Sequence, residues 1–169
     1  MDTYHRALGF VLAREGGFVD NPVDHGGATN QGITQRVYDG WRESQGLPLQ
    51  SVGHITSVEV DDIYYHIFWL PAHCHELIDP LAICHMDWSV NHGVNGAMHT
   101  LQEAAGVVPD GLWGPKTKEA VQMKIGMVPR YNDLRVECYK EIVEREPDQN
   151  VFLDGWLKRV DDLKRYIGG

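Results

Sequence analysis

The stretch TYHRALGFVLAREGG, residues 3–17, sets the first element of the fold and places a carboxylate at its end. Its apolar side chains recur at helical spacing and predict one buried helix face, formed by Tyr4, Leu8, Val11 and Leu12. Asp2 or Thr3 can cap the start of this helix. Glu15 continues the apolar face in the last predicted turn, and Gly16-Gly17 ends the helix.

The rest of the chain carries further helical patterns separated by turn signals. The segment from Val19 to Ile33 is rich in Gly, Pro and Asx, and it predicts turns with a small hairpin. Helix starts are predicted at Thr34, at the capping box Thr56–Glu59 and at Gly114-Pro115. Predicted inward faces include Val60, Ile63, Tyr64, Ile67 and Phe68 on one helix, and Leu81, Cys84, Trp88 and Asn91 on the next. The predicted fold class is mainly α, with a small loop or hairpin lobe after the first helix.

Composition and charge limit the class of protein. With 169 residues, of which 43% are hydrophobic and 23% charged, the chain suits one globular domain or one domain with two lobes. The formal net charge of −9 argues against a nucleic-acid partner, because such a protein needs a positive face toward the phosphates.

The spacing of the cysteines and the length of the apolar runs indicate the compartment in which the protein is made. The three widely spaced residues Cys74, Cys84 and Cys138 do not resemble a disulfide framework, which favours synthesis in a reducing compartment. The first 14 residues are amphipathic and predict no signal peptide, and the apolar runs are too short to cross a bilayer. We therefore expect synthesis in the cytoplasm and no membrane insertion.

Glu15 and the loop after it carry the residue types of a glycoside-cleaving site. That reaction needs a protonated acid at the leaving oxygen, and usually a second carboxylate that steers a water or attacks the sugar. An apolar helix face and the negative end of the helix dipole are expected to favour the protonated acid at Glu15. Asp20 and Asp24 are candidates for the second carboxylate, and the Thr29 hydroxyl can hold a water.

A longer string around Glu15 resembles a known signature. EGGFVDNP at residues 15–22, then Asp24, then GGATNQGIT at residues 26–34 closely resemble the motif of glycoside hydrolase family 108, with Phe18 in place of the usual Tyr. DWSVNHG at residues 87–93 is similar to the family's D-x-x-V-N-x-G segment. The stretches LQ at 101–102, Gly106, DG at 110–111 and GPKT at 114–117 resemble the peptidoglycan-binding helical segment that usually follows.

The resemblance implies an activity and a partner. Family 108 comprises N-acetylmuramidases, many of them phage endolysins, and its fold is expected to be lysozyme-like. It implies bacterial peptidoglycan as substrate, no cofactor, and cleavage of the β-1,4 bond between N-acetylmuramic acid and N-acetylglucosamine for host cell lysis. A monomer made in the host cytoplasm, released through a separate holin and acting at the wall in the periplasm completes this expectation. Because the chain is acidic, we expect recognition through sugar contacts rather than long-range attraction.

The resemblance also implies a division of the chain and roles for its residues. Residues 1–93 are expected to form the lysozyme-like catalytic region, and residues 94–169 a peptidoglycan-binding-like region packed into the same globular unit. In the family motif the catalytic acid falls on Glu15. The spacing to Asp24 and Thr29 is similar to the Glu–Asp–Thr arrangement of tailed-phage lysozymes, with one residue fewer before the Thr. It implies inversion with Asp24 as base, and Asp20 is the other candidate.

Four further residues are predicted to contact substrate. Asn30 and Gln31 belong to the motif string, and Asn91 to the DWSVNHG segment. Trp113 lies in a Gly-rich turn, where an indole is expected to be exposed and able to stack on a sugar.

A zinc-dependent amidase is a second possible function. Residues 73–92 hold several histidines, cysteines and an aspartate, which are metal-ligand types. However, the chain contains neither HExxH nor paired CxxC motifs. His73-Cys74-His75 follows Pro71 in a predicted loop that can take an adventitious zinc ion, but we expect no functional metal site there.

A cysteine-dependent amidase is a third possible function, and a non-catalytic wall-binding or secretion-activating protein is a fourth. The pairs Cys74-His75 and Cys84-His85 suggest a nucleophile and a base. Neighbouring residues on a helix point about 100° apart, so the cysteine and histidine of either pair cannot act together as nucleophile and base. The three cysteines are expected to be buried small hydrophobic residues.

Overall fold

The computed structural model describes residues 2–19, 28–124 and 126–168. Over these residues the chain forms a helical body and one two-stranded hairpin, which confirms the predicted fold class. In chain order the elements are α1 (Thr3–Leu12), β1 (Thr29–Asn30), β2 (Ile33–Thr34), α2 (Gln35–Ser44), α3 (Ser57–Tyr64), α4 (Asp79–His92), α5 (Val94–Ala105), α6 (Pro115–Met123), α7 (Met127–Arg145) and α8 (Asn150–Gly168).

Helix α1 begins as predicted and ends earlier than predicted. The Asp2 carboxylate accepts from the His5 N–H and caps its start. The helix ends at Leu12, so the prediction of Glu15 in the last helical turn is wrong. The N–H groups of Arg14 and Glu15 both donate to the Val11 carbonyl, at 2.9 and 3.1 Å, and this tightened turn ends the helix.

Strands β1 and β2 form a hairpin, which makes a small lobe beside the helical body. Thr29 pairs with Thr34 and Asn30 with Ile33, and Thr29 also forms a bridge to Val19. The turn residues Gln31 and Gly32 have φ values of 50° and 76°. Positive φ at both central positions is the turn that suits the twist of a two-residue hairpin.

The predicted starts of α2, α3 and α6 are confirmed. The Thr34 hydroxyl caps α2, and Thr56 with Glu59 forms the complete capping box of α3. Pro115 occupies the first turn of α6, and Gly106 ends α5 with a φ of 79°.

A π-helical turn follows α3 and changes which side chains are buried. It spans Tyr65–Trp69, and Leu70 N–H donates to the carbonyl of Tyr65, five residues back. The extra residue shifts the inward face, so Trp69 is buried and Ile67 is 37% exposed. The prediction of Ile67 as an inward residue is therefore wrong.

Helix α4 is the centre of the molecule. Its residues from Leu81 to Ser89 are all buried, and it packs against α1, α5 and α7. A helix buried on every side has no solvated face for its polar residues, so a charged residue within it needs a partner inside the protein. Asn91, predicted on the inward face, is exposed in the last turn, where its amide donates to the Asp87 carbonyl at 2.6 Å.

Helix α8, the last helix, lies alongside α1. The Tyr166 hydroxyl on α8 donates to the Arg6 carbonyl on α1 at 3.0 Å. Asp162, one turn earlier on α8, contacts Arg14 just beyond the end of α1 at 3.5 Å. The two helices are therefore antiparallel, and the residues of α8 before Asp162 extend past the end of α1 toward Glu15. None of the helices in the described part of the chain is both long and apolar enough to cross a membrane.

Candidate active site

The Glu15 carboxylate lies between the helical body and the hairpin lobe. Its side chain is 21% exposed. A Cβ atom placed on Gly32 would lie 3.0 Å from Glu15 Oε2 and 2.6 Å from the Tyr64 hydroxyl oxygen. The carboxylate therefore rests on the hairpin turn, at a place where only glycine leaves room.

Hydrogen bonds tie this turn to its surroundings. The Tyr64 hydroxyl donates to the Gln31 carbonyl at 2.8 Å, and the Gln31 N–H donates to the Gly16 carbonyl at 3.2 Å. Burial, followed by the charge on Glu15, raises the pKa of Tyr64 well above its usual value, so its hydroxyl stays protonated. The hairpin is thus held in place against the segment that carries Glu15.

On its other side Glu15 meets a cation from α8. Arg159 Nη1 and Nη2 both donate to Glu15 Oε1 at 3.3 Å. The same guanidinium contacts Asp87 Oδ1 through Nε at 2.9 Å and Nη2 at 2.8 Å. Charge-assisted hydrogen bonds are usually 2.7–2.9 Å long, so Arg159 is held mainly by Asp87 and reaches Glu15 more loosely.

A second arginine completes the network. Arg135 Nη2 on α7 donates to Asp87 Oδ2 at 2.5 Å, and both side chains have no exposed surface. Burial is the largest single influence and opposes the charges of Arg135 and Arg159, but Asp87 together with the other partners of each group outweighs it and raises the pKa of both guanidinium groups. Two fixed positive charges and two carboxylates therefore form a chain from the core to Glu15.

The hairpin residues predicted at the site have mainly backbone roles. The N–H and the carbonyl of Thr29 pair with Val19, both at 2.8 Å, which fixes where its side chain starts. The Asn30 amide donates to the Val52 carbonyl at 3.2 Å and holds the lobe against the chain before α3. Asp20 and Asp24, predicted as the second carboxylates, lie outside the described residues.

Comparison with known proteins identifies the family. Residues 8–93 match the family described as Glycosyl hydrolase 108. The chain belongs to glycosyl hydrolase family 108. Residues 96–161 of this family 108 enzyme match a second family, described as Predicted Peptidoglycan domain. The predicted family and enzyme class are thereby confirmed: the protein is a glycoside hydrolase of the lysozyme type that acts on peptidoglycan.

A solved structure agrees with this assignment. The family 108 enzyme is 29% identical to the chain in the "Structure of Brucella abortus SagA", with a TM-score of 0.79. The match covers 98% of this chain and 94% of that chain. No curated protein matches the sequence.

Trp113 of the family 108 enzyme is placed far from Glu15. Its indole N–H donates to Glu76 at 2.7 Å and its ring stacks on His73, with 5.1 Å between the ring centroids. Glu76 lies just before the start of α4, whereas the Arg159 contact is at Asp87, eight residues into that helix. At 1.5 Å per residue, the axial distance from Asp79 to Asp87 is about 12 Å. Trp113 is half-buried, and a sugar that stacks on it would not lie at the carboxylate of Glu15.

The histidine-rich stretch of the enzyme does bring metal-ligand types together. Ligand atoms of His73, His75 and Glu76 lie within 4.8 Å of one another. However, Glu76 Oε2 contacts Lys118 at 2.6 Å. This bond, together with those from Trp113 and His73, lowers the pKa of Glu76 to about 2 against the opposing effect of burial. An ion bound there would have to displace a cation, so the cluster is poorly suited to a tightly bound metal.

The cysteines do not supply an activated nucleophile. Cys74 and Cys84 are buried, and burial raises the pKa of both thiols, that of Cys84 to about 11. Cys138 and His92 form a pair that the sequence did not predict, with 3.7 Å between Sγ and Nε2. Burial raises the pKa of Cys138 and lowers that of His92, so the pair is neutral near pH 7 and forms no thiolate.

Arg159, Arg135 and the role of Asp87 were not predicted from the sequence. Arginines on terminal helices ordinarily occupy a solvated face, and nothing in their spacing distinguishes these two. One signal was present: Asp87 lies in the middle of a helix in which most of the neighbouring residues are apolar. A carboxylate at such a position requires a cation, although the sequence does not say which one.

Proposed function

We propose that the enzyme is a muramidase that cleaves the β-1,4 bond between N-acetylmuramic acid and N-acetylglucosamine, with Glu15 as the catalytic acid. One observation carries this proposal: the motif carboxylate of Glu15 is partly exposed at the junction of the helical body and the hairpin lobe. A glycan strand lying across both parts would bring its glycosidic oxygen to this carboxylate. General acid catalysis requires such contact with the leaving oxygen.

The second carboxylate is proposed on sequence grounds. Asp24 is the base and Thr29 holds the attacking water, and Asp20 is the alternative base. The anchoring of Thr29 to Val19 supports a fixed position for the hydroxyl, since the chain on both sides of its Cα is paired. We assign the substrate contacts to Asn30, Gln31 and Asn91, with Trp113 as a distant contact.

The bond that is cut distinguishes a muramidase from an amidase and from a wall-binding protein. Purified peptidoglycan digested with the enzyme should release fragments that end in a reducing N-acetylmuramic acid, as identified by mass spectrometry. Free stem peptides would indicate an amidase instead. A protein that releases no fragment would be a wall-binding protein, and either outcome would overturn the muramidase proposal.

The reaction is expected to invert the anomeric carbon. A loop between Glu15 and Thr29 can hold a carboxylate across the cleft with room for a water, and inverting enzymes place their carboxyl groups about 6.5–9.5 Å apart. NMR of the first-formed product should show the α-anomer. Asp24→Ala should lose most activity and Asp20→Ala less. A β-anomer would contradict inversion, and a more damaging Asp20→Ala would move the base to Asp20.

Removal of metal is expected to leave the activity unchanged. The proposed reaction uses carboxyl groups alone, and Lys118 occupies the carboxylate of the candidate cluster at Glu76. Wall clearance should therefore be the same before and after exhaustive EDTA treatment. A loss of clearance that zinc restores, and that a His73→Ala/His75→Ala variant does not recover, would instead support a zinc amidase.

The biological role proposed is that of a phage endolysin. The chain would be made in the host cytoplasm, act as a monomer without a cofactor, and reach the wall after a separate holin permeabilises the membrane. We further propose that residues 1–93 and 94–169 work as one unit. This is supported by the packing of α4 against α5, α7 and α8.

A further inference from the structure

The contact between Arg159 and Glu15 makes the two carboxylate oxygens of Glu15 inequivalent. A guanidinium group carries only donors and no acceptor. Both of its bonds to Glu15 end on Oε1, while Oε2 lies over Gly32. A proton on Oε1 would point at these donors, so a protonated Glu15 must carry its proton on Oε2.

We propose that Arg159 is a positioning residue that holds Glu15 by Oε1 and so leaves Oε2 as the oxygen that carries the acidic proton. The inference rests on the proposed function, because it assigns the oxygen through which Glu15 protonates the leaving oxygen. It also places the glycosidic oxygen within reach of Oε2 and not of Oε1.

The side chain of Arg159 is held in one position by its contacts. Its side chain is only 13% exposed, and it contacts Asp87 at normal bond lengths. Asp87 has no exposed surface and is itself held by Arg135. A side chain fixed at its far side by a buried ion pair can fix the rotamer of the group that it touches, which is how positioning residues contribute to catalysis.

The two arginines and the two carboxylates of this network lie in different family-matched regions of the chain. Arg135 and Arg159 both fall in residues 96–161, the part that matches the Predicted Peptidoglycan domain. Glu15 and Asp87 fall in residues 8–93. The second region therefore supplies part of the catalytic apparatus in this enzyme, whatever it contributes to wall binding.

Three described groups surround the carboxyl of Glu15. Arg159 faces it from α8, Tyr64 faces it from α3, and Asp87 lies behind Arg159 on α4. Because Arg159 is the group that contacts Oε1, removal of its guanidinium releases the carboxyl from this fixed position.

The test compares three variants on soluble peptidoglycan fragments, with kcat and KM measured for each. Arg159→Gln removes the charge, and its amide oxygen can accept a proton from Oε1. We expect kcat to fall by about 10²-fold with KM little changed, as for a misplaced catalytic group. Arg159→Lys keeps the charge but cannot span both carboxylates, so kcat should fall by about tenfold.

Arg165→Gln is the matched control, because Arg165 is exposed on the same helix and pairs with Asp162. It should have wild-type kcat and KM. A merely structural Arg159 would lower the melting temperature but leave kcat of the folded enzyme unchanged, which would overturn the inference. If the glutamine variant does not fold, wild-type kcat in Arg159→Lys overturns it equally.

Glu15→Gln measured alongside separates the two proposals. Activity in that variant would end the proposed role of Glu15 itself. An inactive Glu15→Gln together with wild-type kinetics in Arg159→Gln would refute only the positioning role.

Discussion

Replacement of Glu15 by glutamine should abolish wall clearance while leaving the protein folded. Glutamine keeps the size and the hydrogen-bonding capacity of the side chain but cannot donate the proton that the leaving oxygen needs. General acids contribute about 10²–10⁴-fold to rates, and a loss in this range is expected in kcat. Turbidity clearance and release of reducing sugar from peptidoglycan measure it.

Folding of this variant is checked by helical circular dichroism and thermal melting. The pair with Arg159 is 3.3 Å long and partly exposed, so its loss should cost at most about 1 kcal/mol of unfolding free energy. Glu43→Gln is the control, since Glu43 is exposed on α2 and lies outside the motif at residues 15–34. Normal clearance by a folded Glu15→Gln enzyme would remove Glu15 from the mechanism.

The largest effect on stability is expected from Asp87→Asn. The substitution leaves the buried Arg135 guanidinium without its counter-charge and leaves the largely buried Arg159 with only the longer contact to Glu15. Loss of one partner from a buried ion pair typically costs about 3–5 kcal/mol. For a chain of this size that corresponds to a melting temperature lower by roughly 10 °C. Urea unfolding of the wild type and the variant gives the difference directly.

Two further variants define the reason for this loss. Asp133→Asn removes an exposed carboxylate that is 3.8 Å from Lys164, and it should change the unfolding free energy by less than about 1 kcal/mol. Adding Arg135→Met to Asp87→Asn should recover part of the loss, because the second change removes an uncompensated charge. An Asp87→Asn enzyme as stable as the Asp133→Asn control would show that the buried pair is not needed for folding.

Local signals explain the parts of the fold that were predictable. Thr34, the Thr56–Glu59 box and Gly114-Pro115 act within a few residues of themselves, so their effect on the backbone can be read without knowing the tertiary structure. The motif at residues 15–34 identified the family in the same way, from adjacent residues.

The errors arose where distant parts of the chain decide the outcome. Ile67 is exposed because one additional residue enters the π turn, and no side-chain pattern records that change in backbone hydrogen bonding. Arg159 reaches Asp87 across 72 residues of sequence. Trp113 is half covered because His73, in a left-handed conformation with φ of 56°, brings its ring over the indole.

The antiparallel return of α8 along α1 bears on when the enzyme becomes active. The hydrogen bond from Tyr166 to Arg6 joins residues 160 apart in sequence, and the contact of Arg159 with Glu15 joins residues 144 apart. Contacts that close such long loops form late in folding, because the entropy of the intervening chain must be lost first. In a polypeptide that is still growing on the ribosome, Glu15 therefore has not yet met Arg159, which is proposed to orient it. If Arg159 positions Glu15 as proposed, full activity requires the final helix to have docked.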